Sequence, residues 1–382
     1  MADLSSSAHN RTRDLPWLQK MACRMLRLGP TPNHVAFIMD GNRRYAKKIK
    51  AERIVGHRRG YDTLLEVLKW CHHLNVKAVT VYAFALDNFK RSKKEVDSLM
   101  ELAAQKFSEM LDSEKTISEY GVRVNILGDF SRLPVNLQQK IGRVMQSTRG
   151  HSQLTLNIAF AYSSQWEMSE AVDEVARGIA NREIETSDVS MELIEKCLYT
   201  AGQSEPELMI RTSGESRLSD FMVAQSRRGT WLCFIRPLWP ELSFWHFFMV
   251  IFGYQRHHHA IASERSQIRT IEKSLTPEAA AALSAALAGL EHSVPPTLAS
   301  DRKRGGRDDA AVSREGRIRT FLENSRRRKE RYLDGLASLI VPNRDTSSGD
   351  VVNHQGCNVY TGKYALRKEN VYKSEGLEIY RV

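Results

Sequence analysis

Short apolar runs alternate along this chain with segments of helical periodicity, and that alternation limits the folds open to it more than any other feature. Residues 35–39, 76–84, 122–127, 154–161, 208–211 and 230–235 read as buried strands. Between them, 61–75, 92–110, 134–145, 163–181 and 191–198 repeat apolar residues at helical spacing. Such a chain is α/β, with a mostly parallel central sheet flanked by helices. In open sheets of this kind ligands collect beyond the carboxyl ends of the strands. Asp40, the pair Asp87 and Asn88, and Arg211 all come at strand ends, so one rim can hold them together.

The first strand is bounded upstream by Pro30 and Pro32 and ended by Asp40-Gly41-Asn42; Arg43, Arg44, Lys47, Lys48 and Lys50 follow. A carboxylate therefore sits beside a turn and a helix start whose free N–H groups favour anions, with basic side chains in the same place. A hard-metal ligand, a phosphate cradle and fixed positive charge converge. An ordinary strand-to-helix turn, with Asp40 as a cap and the arginines solvated, explains this stretch alone equally well.

The 382 residues can bury a full core, and the net charge of +11 calls for acidic partners: nucleic acid, anionic lipid or diphosphates. No zinc-finger spacing, aromatic RNA-binding motif or recognition-helix signature accompanies the charge, so no nucleic acid is expected. The five cysteines are scattered without a C-x-x-C pair, which fits a reducing compartment. No apolar run approaches the roughly 20 residues that span a bilayer, and the first residues carry no signal-peptide core, so a soluble or peripheral protein is expected. Residues 15–28 form a basic amphipathic helix, suited equally to a membrane surface and to docking on its own domain. Ser92 and Glu95 have the spacing of a capping box. Beyond about residue 256 the composition shifts: residues 276–292 read as an Ala/Leu-rich helix, and residues 301–331 carry 12 Lys/Arg against 6 Asp/Glu. A solvated extension, with a basic helix over 317–339, is the expectation there.

Five ordered words, Asp40-Gly-Asn-Arg-Arg44, Gly56-His57, Tyr82 through Arg91, Ile210 through Ser219, and Leu238-Trp-Pro240, resemble the cis-prenyltransferase (undecaprenyl diphosphate synthase) family over residues 34–254. The likeness is to its eukaryotic catalytic subunits. It implies three parts: residues 1–30 as a polar segment and amphipathic helix, 31–260 as the catalytic domain with a hydrophobic product tunnel, and 261–382 as a basic extension, partly helical and partly disordered. It implies addition of isopentenyl diphosphate units to farnesyl diphosphate, giving a long polyprenyl (dehydrodolichyl) diphosphate for dolichol synthesis and protein glycosylation. A non-catalytic or regulatory subunit on the same fold is the alternative. The implied cofactor is Mg²⁺, which binds through one or two carboxylates plus substrate phosphates, so a lone Asp40 suffices.

Residue by residue, the resemblance makes Asp40 the magnesium-linked carboxylate. Gly41, Asn42, Arg43 and Arg44 become the allylic diphosphate cradle, and Arg53 and His57 add charge or a proton-bearing donor. Arg211, Arg217 and Ser219 become the isopentenyl diphosphate site, with Arg91 also reaching the diphosphates. Asn88 stands near the proton removed, although an amide is a poor base. Tyr45 and Phe89 wall the start of the prenyl tail. Singly, His57 can also be read as a core histidine satisfied by the backbone, Arg217 as surface and Ser219 as a helix cap, but the ordered set of five words makes these readings improbable together. Ala85 and Asp87 depart from the family's usual Ser and Glu, which puts those two pocket positions in question. No acidic residue lies between Asp220 and Trp239, and the chain ends without the Arg-x-Gly motif of homodimeric relatives. This pattern implies a Nogo-B-receptor-like partner subunit, weak activity alone, and peripheral attachment to the cytosolic face of the endoplasmic reticulum membrane.

Overall fold

Six strands form one sheet: β1 (His34–Ile38), β2 (Ala78–Ala85), β3 (Val122–Leu127), β4 (Leu154–Tyr162), β5 (Leu208–Arg211) and β6 (Trp231–Phe234). Their order is β3-β4-β2-β1-β5-β6 and every neighbouring pair is parallel. The computed structural model describes residues 15–112, 120–291 and 313–339. Nine helices lie among the described residues: α1 (Trp17–Leu26), α2 (Asn42–Lys48), α3 (Arg53–His73), α4 (Lys93–Asp112), α5 (Val135–Ser147), α6 (Ser164–Ala180), α7 (Met191–Glu195), α8 (Phe244–Glu291) and α9 (Arg314–Ala337).

Both faces of the sheet are covered. Val35 and Phe37 of β1 point into the larger core with α1, α3, α4, α5 and α8, while Ala36 and Ile38 face a second core with Tyr162 and Phe221. Such two-sided burial is why the strands read as continuous apolar runs. β1 is flanked by β2 on one side and β5 on the other. The chain winds outward from it in both directions, which makes the carboxyl ends of β1 and β5 the switch point where such sheets bind ligands.

A polar layer crosses the sheet near its opposite end. His34 donates through Nδ1 to the Ser204 carbonyl (2.6 Å), and Nε2 accepts from the Thr80 hydroxyl (2.7 Å), which itself accepts from Asn157 (3.0 Å). Every ring nitrogen is used, as buried polar groups require.

The structure differs from the expectations in three places. The second helix starts at Arg53 rather than near residue 61, because Gly56 and Gly60, poor helix formers, are needed for contact: a Cβ on Gly56 would lie 2.1 Å from the Asn42 carbonyl. The helix placed over 276–292 is the distal part of α8, which runs unbroken from Phe244 across residue 260. For the amphipathic helix, the docking that the sequence allowed equally is what is seen: Ala22, Cys23 and Leu26 enter the main core, and Gln255 of α8 donates to the Leu26 carbonyl (2.5 Å). Its other face keeps Trp17, Met21 and Met25 exposed. Residues 314–337 are not a solvated tail. Phe321 is fully buried beneath α6, Arg317 pairs with Asp188 (2.9 Å), and Arg328 bridges Glu174 (2.8 Å) and Glu183 (2.9 Å).

Candidate active site

At the end of β1 the chain turns through Asp40 and Gly41. Asp40's own backbone is clamped, with its N–H donating to Thr212 Oγ1 (3.0 Å) while its carbonyl accepts from that hydroxyl (2.7 Å) and from the Trp239 N–H (2.9 Å). Gly41 holds φ at +109°, a conformation suited to glycine, and a Cβ there would press on Leu238 at 3.0 Å. Trp239 also donates from its ring to the Gly60 carbonyl (2.7 Å), so the Leu238-Trp-Pro240 word is the brace that fixes Asp40 and α3 together.

The side chain of Asp40 meets Arg211, from the end of β5, at 2.8 Å, and Arg44, one turn into α2, at 3.4 Å. Burial pushes the Asp40 carboxyl up. The Arg211 and Arg44 guanidinium groups and the Gly41 N–H outweigh it and hold it below the usual aspartate value. Arg211 is buried and forked: its other arm donates to Ser219 Oγ (2.8 Å) and to the Arg217 carbonyl. Arg44 donates to Ser213 and pairs with Glu215 (3.2 Å), whose carboxylate also takes Arg217 (2.5 Å). Asp40, Arg44, Arg211, Arg217 and Ser219 thus meet in one cluster.

The neighbouring residue on α2 faces a second cluster. Arg43 (3.9 Å), Arg53 and Arg91 (3.2 Å) converge on Glu95 in the first turn of α4, and Arg91 also donates to Asn88 Oδ1 (2.7 Å). His57 is half-buried beside them. Burial, reinforced by Arg91 and Arg43 against a smaller opposing effect of Glu95, lowers its pKa to about 4. Among the described residues this balance favours the neutral imidazole, the proton-bearing donor of the two roles expected for it. Phe89 packs edge-on to Phe84 (4.9 Å), continuous with Phe160 (5.2 Å). Tyr45 is half-buried on α2 and Ala85 ends β2. Asp87 is not brought in: it is exposed and pairs with Lys90 (2.7 Å).

Asn42 Oδ1, His57 Nε2 and Arg211 Nε are three of seven buried side-chain atoms without a hydrogen-bond partner among the described residues; the other four lie on Trp70, Trp166, Glu205 and Gln225. Unsatisfied buried polar atoms are uncommon in a finished core, and these three lie on residues of the rim that carries Asp40 and both arginine clusters. Six arginines against three carboxylates leave that place strongly cationic. The sequence reading missed Glu95, Thr212, Ser213, Glu215 and Trp239; all but Glu95 lie inside the ordered words, which was the available signal.

The family model described as undecaprenyl diphosphate synthase matches residues 38–262. The chain belongs to that family of prenyltransferases. The human dehydrodolichyl diphosphate synthase complex subunit is 44% identical over 252 residues, 66% of this chain and 75% of the relative. The corresponding complex subunit of Schizosaccharomyces pombe is 37% identical over 241 residues, 63% and 91% of the two chains. A tritrans,polycis-undecaprenyl-diphosphate synthase (geranylgeranyl-diphosphate specific) from Thermococcus kodakarensis is 40% identical over 228 residues, 60% and 86%. Among solved structures, lavandulyl diphosphate synthase from Lavandula x intermedia in complex with dimethylallyl diphosphate superposes with a TM-score of 0.56 at 28% identity, covering 59% of this chain and 95% of that one. The undecaprenyl diphosphate synthase family thus accounts for the parallel sheet, and this member is a prenyl-transferring enzyme.

Proposed function

We propose that this prenyltransferase elongates farnesyl diphosphate with isopentenyl diphosphate units to give a long polyprenyl (dehydrodolichyl) diphosphate for dolichol synthesis and protein glycosylation. The observation carrying this reading is the 2.8 Å contact of Asp40 with Arg211 at the switch point of the sheet, flanked by both arginine clusters. Elongation needs two diphosphates held close together, with charge neutralised as one departs from the allylic carbon. Arg43, Arg53 and Arg91, with His57 and the backbone after Gly41, are assigned to the allylic diphosphate. Arg211, Arg217 and Ser219 are assigned to the isopentenyl diphosphate, with Arg44 and Asp40 between the two groups. Asn88, held by Arg91, is assigned to the side where the proton leaves. The Phe84, Phe89 and Phe160 rings, with Leu99, Ala103 and Phe107 of α4, supply the apolar wall along which a product tunnel is expected.

A divalent metal fits these residues. The Asp40 carboxyl is held below the usual aspartate value and is only partly covered. That donor set suits Mg²⁺ shared between one carboxylate and substrate phosphates. Bound there, it would neutralise charge developing on the leaving diphosphate. The other assignments rest on this chain's arginines.

The two eukaryotic relatives are described as complex subunits. A Nogo-B-receptor-like partner is assigned here to the open edge of the sheet, where Leu232 and Phe234 on β6 and Trp245, Met249 and Phe252 on α8 are exposed. The uncovered face of α1, with Trp17, Met21 and Met25 beside Lys20 and Arg24, is assigned to the cytosolic surface of the endoplasmic reticulum membrane. No helix among the described residues is long and apolar enough to cross a membrane. The test is mass analysis of the organic-extractable product formed from farnesyl and isopentenyl diphosphates, by the chain alone and with the partner. A ladder ending in long polyprenyl chains, strong only with the partner, is expected; equal turnover alone refutes the partner assignment, and no elongation under either condition refutes the function.

A further inference from the structure

We propose that Glu95 is a positioning residue whose carboxylate assembles Arg43, Arg53 and Arg91 into one diphosphate cradle before substrate arrives. The inference rests on the functional reading above, and deepens its allylic site. The three arginines come from three separate places: the first turn of α2, the first residue of α3 and the segment between β2 and α4. Among the described residues the carboxylate they share is Glu95, with Arg43 at 3.9 Å, Arg91 at 3.2 Å on Oε1 and Arg53 on Oε2. The Glu95 side chain is 10% exposed, so its carboxylate and the pair with Arg91 are sheltered from solvent and salt, while Arg43 and Arg53 reach it from the surface.

Its place on α4 suited a capping role, yet only half of the box forms: the Glu95 N–H reaches Ser92 Oγ (3.4 Å), while its carboxylate goes to the arginines. Without that carboxylate the guanidinium groups repel one another. Burial already lowers the Arg91 pKa, Arg43 and Arg53 lower it further, and Glu95 is the carboxylate that opposes them. A long flexible side chain held by repulsion scatters, and ordering it is then charged against substrate binding. One carboxylate among three arginines leaves the cradle net positive, so the arrangement orders the donors without cancelling their attraction for a diphosphate. The two Arg91 links, to Glu95 and to Asn88 Oδ1 (2.7 Å), also carry this order toward the reacting end of the substrate.

The test compares Glu95→Gln, Glu95→Asp and wild type, all in the full chain and in the same assembly. Farnesyl diphosphate binding is followed by calorimetry without isopentenyl diphosphate, and KM is then measured for each substrate separately. Glu95→Gln should weaken farnesyl diphosphate binding and raise its KM about tenfold, change the isopentenyl diphosphate KM by less than about twofold, and be largely rescued by Asp. Tighter binding in Glu95→Gln would show a competing anion and overturn the inference. So would unchanged binding, or an equal rise in both KM values. Wild type that binds no farnesyl diphosphate would sink the functional reading instead, which keeps the two failures apart.

Discussion

Arg211 holds Asp40 with one arm and Ser219 with the other, and a lysine cannot do both. Arg211→Lys is therefore expected to lower kcat/KM by about 10²–10³, the loss typical of one misplaced charge-stabilising donor, and the isopentenyl diphosphate KM should reveal it. The pH profile gives an independent check. Arg211 is the main force depressing the Asp40 carboxyl against burial, so its removal raises that pKa. If the ionised form is the working one, the acid limb of kcat/KM moves to higher pH in Arg211→Ala; a stationary limb would separate the two residues. Asp40 and Arg211 were legible from sequence because each stands where a strand ends. Glu95 was not, since a capping place on α4 explained it sufficiently. Nor was the exposure of Asp87, which pairs at the surface with Lys90 one turn away.

The strands were readable because two-sided burial leaves an unbroken apolar run, and the assigned spans differ from expectation mainly at their ends. The helices were harder where packing overrode propensity. Gly56 sits inside α3 so that α2 can cross it, and Gly56→Ala should destabilise the fold by about 1–3 kcal/mol and raise the allylic KM, since the same contact seats Asn42 and Arg43. Circular dichroism melting together with the KM would show both. The polar layer of His34 predicts a pH effect of defined sign. Burial, against the Ser204 carbonyl and Glu207, lowers the His34 pKa from 6.5 to about 4. Between those values the unfolded chain binds a proton that the folded chain refuses. Stability from this group is thus complete above pH 6.5 and falls as pH drops toward 4, by about 2 kcal/mol between pH 6.5 and 5. Urea midpoints across that window should slope accordingly, and less so in His34→Gln; equal slopes would contradict the assignment.

Across the whole molecule, charge was the misleading signal. The basic run over 301–331 reads as solvated, yet Arg317 and Arg328 within it find Glu174, Glu183 and Asp188, acids more than a hundred residues earlier that no local pattern connects to it. Because Phe321 fills a fully buried site beneath α6, Phe321→Ala should cost about 3–5 kcal/mol, read as a fall in the denaturation midpoint, while both substrate KM values stay unchanged. The same global view makes β1 and β5 the centre of the account, because the chain reverses its winding there and both arginine clusters border that point. A structure with a non-hydrolysable farnesyl diphosphate analogue and isopentenyl diphosphate bound together tests this most directly. Both diphosphates should lie on this rim, one against Arg43, Arg53 and Arg91, the other against Arg211 and Arg217, with the Asp40 carboxylate between them. Diphosphates bound elsewhere, or either cluster left without one, would contradict it.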